Sequence, residues 1–138
     1  MVNLKDVLQE SKTAELEFPG YKGFKVKIGL ISRQLANKIR KDCTVTRMSD
    51  RYSSMEETLD ENKFAEKFTN AAIKGWEGLT GEYVKDLLPV DDDAVKDEDE
   101  IPYTHDNAVM LIKNSTAFEA WVNEVAFKLK YFRGEQSK

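Results

Sequence analysis

The chain has 138 residues, 33% of them charged and 41% apolar, with a net charge of −4. That size suits one domain burying roughly two thirds of its unfolded surface. We expect neither a membrane span, for want of an apolar run near ~20 residues, nor a secretory signal, and one cysteine, Cys43, excludes an internal disulfide framework and fits a reducing compartment.

An initial Met is what a whole gene product carries. The net charge hides a division. Residues 1–51 carry 11 basic and 6 acidic groups, residues 52–100 carry 5 and 15, and residues 101–138 carry 5 and 4. Such polarity favours head-to-tail association or a partner of mixed charge over simple polyanion binding.

In chain order, Asn3 caps a short helix whose Leu4, Val7 and Leu8 share a face, and Ser11 to Thr13 end it. Residues 14–30 then alternate polar and apolar on both sides of Pro19-Gly20-Tyr21-Lys22-Gly23. That pattern predicts a β-hairpin, whose apolar face helices must cover because an isolated hairpin is marginal. Ser32 caps a helix over 32–44 with Leu35, Ala36, Ile39 and Cys43 on one stripe.

From Tyr21 to Lys41 there are seven basic side chains and no acidic one. A nucleic-acid patch is one reading, since neutralising phosphates drives such binding. The other takes Lys25 and Lys27 as a strand's solvent face and Lys38, Arg40 and Lys41 as a helix's polar side. The acidity of the rest of the chain favours the second reading, and nucleic acid is not the expected partner.

Residues Arg47 to Thr58 show no clear period and read as a mobile connection. Asp60 caps a helix over 60–74 carrying Phe64, Phe68, Ala71 and Ala72, with Trp76 continuing the stripe. Gly75, Gly78 and Gly81 are expected to stop this helix, folding Trp76 and Leu79 back onto it. Tyr83, Val84, Leu87 and Leu88 then suggest a short helix ended by Pro89. Seven carboxylates among residues 91–100 predict a solvated, mobile acidic loop over 90–100.

Thr104 caps the first of the C-terminal helices, which occupy 104–133. Thr116-Ala117-Phe118-Glu119 fits a capping box opening a long helix to about Arg133. Its main stripe is Phe118, Trp121, Val122, Val125, Leu129 and Phe132, and Phe127 with Tyr131 makes a second stripe. The expected core includes Phe64, Phe68, Trp76, Trp121, Val125 and Leu129. Tyr21, Phe24, Phe127 and Tyr131 are aromatics that either complete the core or meet a partner. The whole is an α+β fold: a mostly helical single domain over 1–138 with an N-terminal β-hairpin packed on helices.

No catalytic or metal chemistry emerges, and no cofactor is expected. Asp91 and Asp93 could open an EF-hand loop, but Val95 and Lys96 replace a required ligand and the glycine. One histidine, His105, and one cysteine leave too few ligands for zinc. The glycine triplet lacks the Gly-Lys-Ser/Thr ending of a phosphate loop. The expectation is a protein that is not an enzyme.

From Asp60 onward the order of features resembles the tail assembly chaperones of long-tailed, siphovirus-type bacteriophages. The matching residues are Ala72-Ile73-Lys74-Gly75-Trp76-Glu77-Gly78-Leu79, an acidic loop, Ile101-Pro102-Tyr103-Thr104-His105-Asp106-Asn107-Ala108 and the aromatic helix from Phe118 to Phe132. The resemblance spans residues 14–133 and is tightest over 60–132. One departure is Gly75, where that family more often has an acidic residue before the tryptophan. The resemblance implies a non-catalytic short form that binds the tape measure protein and keeps it soluble until tail tube subunits replace it. It further implies self-association, contact with the tail tube protein and residence in the host bacterial cytoplasm, outside the mature virion. A frameshifted longer form is common there.

Overall fold

The computed structural model describes residues 2–8, 12–48 and 55–133. The expected hairpin is present: β1 (Thr13–Glu17) pairs antiparallel with β2 (Lys25–Gly29), placing Leu16 opposite Val26 and Glu17 opposite Lys25. The alternation read from the sequence is the burial pattern of β2. Val26 and Ile28 are fully buried while Lys25 and Lys27 face outward. At the turn, the Phe18 amide donates to the Phe24 carbonyl (2.9 Å), with Gly20 and Gly23 both at positive φ.

A third strand completes this sheet. β5 (Ile73–Glu77) lies on the other side of β2, giving the order β1-β2-β5. This corrects the expected glycine-terminated helix over 60–74. The helix, α3 (Glu61–Ala72), ends earlier, and Gly75 and Trp76 are strand residues opposite Lys27 and Val26. Of the three glycines only Gly78 has a positive φ, of 81°. A side chain there would also strike the Gly23 carbonyl, so Gly78 locks the end of β5 against the hairpin turn. Trp76 does not fold back on α3: its Nε1 donates to the Ile101 carbonyl (3.0 Å) and its ring stands edge-on to Tyr103 (5.3 Å).

α2 (Arg33–Cys43) and α3 follow their predicted caps: the Ser32 hydroxyl accepts from the Leu35 amide (3.1 Å) and the Asp60 carboxylate from the Lys63 amide (3.1 Å). Between them, the connection expected to be mobile holds an antiparallel ribbon, β3 (Thr44–Met48) and β4 (Met55–Leu59). Residues 49–54 of that expectation lie outside the described ones. β-branched Thr44, Val45, Thr46 and Thr58 carry the strand preference, diluted in sequence by Ser, Met and charge.

α4 (Gly81–Leu87) is the short helix expected before Pro89, and α5 (His105–Asn114) starts from Thr104 as expected. α6 (Thr116–Ala126) departs from the expectation twice. Its cap is Ser115, whose hydroxyl accepts from the Phe118 amide (3.3 Å) and which also ends α5; Thr116 is already helical. The helix also stops at Ala126 rather than near Arg133. The Ala126 carbonyl, which a continuing helix would use, accepts from the Ile31 amide (2.8 Å), and a 3-10 turn follows at Leu129–Phe132. Leu129, placed in the core by its spacing, is therefore 54% exposed, while Phe132 is buried.

α3 and α6 contact β2 on the buried face of the sheet, α5 packs against both helices, and α2 flanks α3. Phe18, Phe24, Phe118, Val122, Val125 and Phe68 form the centre of the core, with Phe64, Trp76 and Trp121 half-buried at its edge. α1 (Leu4–Val7), capped by Asn3 as expected, keeps Leu4, Val7 and Leu8 exposed; Ser11 lies outside the described residues.

Candidate interaction surfaces

Two surface regions carry the aromatic side chains singled out in the sequence. The first lies between the hairpin turn and α4. Tyr21 stacks on Phe18 (4.9 Å) and meets Tyr83 edge-on (5.1 Å), and its hydroxyl donates to the Asp86 carboxylate (2.7 Å). The hydrogen bond to Asp86, then burial and the negative charge, raise the Tyr21 pKa from its ordinary 10.0. Tyr83 in turn donates to the Lys22 carbonyl (2.6 Å). Together with Gly20, Glu82 and Lys85 these residues line an open groove of about 390 Å³.

Phe24 does not belong to this surface. Expected either in the core or at a contact, it is fully buried, with its ring stacked on Phe118 (6.1 Å). As the last turn residue before β2, it points with Val26 to the covered side.

The acidic segment borders the groove and is hydrogen-bonded to α4. The Gly81 amide donates to the Asp99 carbonyl (2.7 Å), the Glu82 amide to the Asp97 carbonyl (3.2 Å), and the Ile101 amide to the Leu79 carbonyl (2.8 Å). Thr80 and Glu100 form a β-bridge, and Lys85 pairs with the Asp97 carboxylate at 2.9 Å. The loop therefore supplies acceptors to the amides that open α4. Gly81 permits this approach, because a Cβ would collide with the Lys96 carbonyl. In sequence this glycine directly follows Thr80, whose hydroxyl caps α4 by accepting from the Tyr83 amide (3.5 Å).

The second region is the end of α6. Phe64 stacks on Phe68 (6.1 Å), and Phe68 on Phe127 (6.3 Å), making an aromatic row that surfaces at Phe127, 48% exposed. Leu129 continues the exposed apolar character. Tyr131 is not on the same helical stripe as Phe127, because α6 ends between them. Its hydroxyl donates to Glu124 (3.1 Å), which with burial raises its pKa from 10.0, and Lys130 lies 5.2 Å from its ring centre.

Among the described residues no group of three or more His, Cys, Asp or Glu side chains is placed to hold a metal ion. Cys43 is buried at the end of α2, and His105 is exposed at the start of α5. No helix among the described residues is long and apolar enough to cross a membrane.

A family model described as YdaY prophage protein matches residues 20–138, from the hairpin turn to the last residue. The chain belongs to the YdaY prophage protein family. Its phage derivation follows from that membership. The match takes in β2, the β3–β4 ribbon and every helix from α2 to α6, so both surface regions are family territory. No curated protein and no solved structure matches the chain.

Proposed function

We propose that this YdaY-family chain is a tail assembly chaperone that binds the tape measure protein and keeps it soluble until the tail tube polymerises. The carrying observation is the row Phe64–Phe68–Phe127, which leads from the core to an exposed edge continued by Leu129. An apolar edge on an otherwise charged body suits a long helix with apolar side chains to hide. Phage derivation and the order of features from Asp60 to Phe132 support the same reading. On it the protein works without catalysis or cofactor, in the host bacterial cytoplasm, and leaves before the virion matures. Tail tube subunits then take its place on the tape measure.

Co-expression with the tape measure protein of the same prophage tests this directly. Wild-type chain should move the tape measure from the insoluble to the soluble fraction, and Phe127→Ser with Leu129→Ser should lose that effect while keeping the fold. A tape measure that stays insoluble with folded wild type present refutes the reading.

The nucleic-acid alternative gains nothing from the sheet. Lys25 lies between Glu17 and Glu77, and Lys27 opposite Glu15, so cross-strand carboxylates interrupt the basic run.

A further inference from the structure

We propose that copies of this chain associate head to tail, the basic side of α2 in one copy docking on the acidic surface of α4 and residues 91–100 in the next. α2 carries Arg33, Lys38, Arg40 and Lys41 against a single acid, Asp42. Lys38 already pairs with Asp42 (3.1 Å), and Lys63 and Lys67 of α3 add positive charge beside it. No described carboxylate forms an ion pair with Arg33, Arg40 or Lys41, all of which are exposed.

The receiving surface is opposite in sign and preshaped. Residues 81–100 hold nine carboxylates and two lysines, and one of those lysines, Lys85, is taken up by Asp97. Backbone bonds from Gly81 and Glu82 to Asp99 and Asp97 hold the acidic segment against α4. The 390 Å³ groove beside it presents the Tyr21 and Tyr83 rings with Glu82 and Asp86. Both phenol groups are already hydrogen-bonded, so the rings are fixed. A guanidinium finds a π face and carboxylates together there, which makes an arginine of the neighbouring α2 the fitting occupant.

The two surfaces rest on different supports, α2 on α3 and α4 on the hairpin turn. One copy can therefore donate and receive at once. Contacts between unlike surfaces add copies in series, where a two-fold contact would close at a dimer. This inference is independent of the tape measure reading, because it concerns the purified chain alone.

Sedimentation velocity tests it. At ~20 mM salt the wild-type mass should rise with concentration past a dimer, and at ~0.5 M salt it should return to the monomer as screening shortens the charge interaction. Arg40→Glu with Lys41→Glu should be monomeric alone, as should Asp92→Lys with Asp93→Lys, both folded by circular dichroism. Mixed, they should associate again, since the intact acidic surface of the first receives the intact α2 of the second. Glu82→Gln with Asp86→Asn, a milder change, should weaken association about tenfold by removing the charges lining the groove. A wild-type chain that stays monomeric at low salt overturns the proposal. So does assembly that stops at a closed dimer, assembly by either reversed variant alone, or failure of the two folded variants to pair.

Discussion

The two hairpins of this protein have the same length and pairing, yet opposite standing in the fold. β1–β2 and β3–β4 are each five-residue antiparallel pairs. In the first, β5 extends the sheet and helices cover one face, so Val26 and Ile28 lose all contact with water. The second forms a sheet of its own, and its substantial contacts are between its own strands. Pairing alone leaves a two-stranded ribbon marginal. Burial on one face is what makes the first hairpin part of the cooperative unit, and it is what wrote a readable alternation into the sequence.

The comparison breaks most visibly at Phe24. Phe24→Ala removes a fully buried ring at the start of β2 and should cost about 3–5 kcal/mol in urea melts. A loss below ~1 kcal/mol would mean that the first hairpin is no better anchored than the second. Gly78→Ala comes next: it forces a left-handed conformation on a side chain aimed at the Gly23 carbonyl. It should destabilise by about 1–3 kcal/mol, and unchanged thermal stability would show that β5 does not depend on that close approach.

Val45→Ala in the ribbon should cost under ~1 kcal/mol globally, because little packs on it. Hydrogen exchange sharpens the contrast: β3 and β4 amides should exchange through local opening, and β2 amides only through global unfolding. Equal protection of both hairpins would show that they unfold as one unit.

The smallest effect concerns Tyr21 in the first turn. Its folded pKa is raised, so the stabilisation its protonated hydroxyl gives is fully present below the unfolded value of 10.0. That stabilisation is lost as pH rises through the higher folded value. Tyr21→Phe should therefore flatten the decline in stability across that alkaline window, as followed by circular dichroism. A decline of the same steepness in the variant would assign alkaline sensitivity to other groups.

What was legible in the sequence is what local chemistry determines. The caps at Asn3, Ser32, Asp60 and Thr104, the apolar stripe of α3 and the stop at Pro89 all act within a few residues. β5 was hidden because its strand state comes from pairing with β2, almost fifty residues earlier, which overrides the helical continuation suggested by Trp76. The end of α6 was hidden for the same reason: the amide that takes the Ala126 carbonyl belongs to Ile31. At the candidate surfaces, Tyr21 and Phe24 flank one turn with the same local character, yet Phe24 is fully buried and Tyr21 half-buried beside the groove. Only the direction of the turn separates them. The lining of the groove by Glu82, Tyr83 and Asp86 had no local signal, because it requires α4 to reach the hairpin turn.

The bond between the Ile101 amide and the Leu79 carbonyl has a consequence in polymer terms. The bond closes a ring made of α4, itself packed on the core through Val84 and Leu87, and the acidic segment, so the segment returns to the body at Ile101 whatever its length. Extra residues placed between Pro89 and Lys96 add only the logarithmic entropy of a larger ring. Doubling such a loop costs roughly 0.6 kcal/mol. The acidic excursion can thus change in length and charge count while β5, the Trp76–Tyr103 contact and the helices beyond it keep their places.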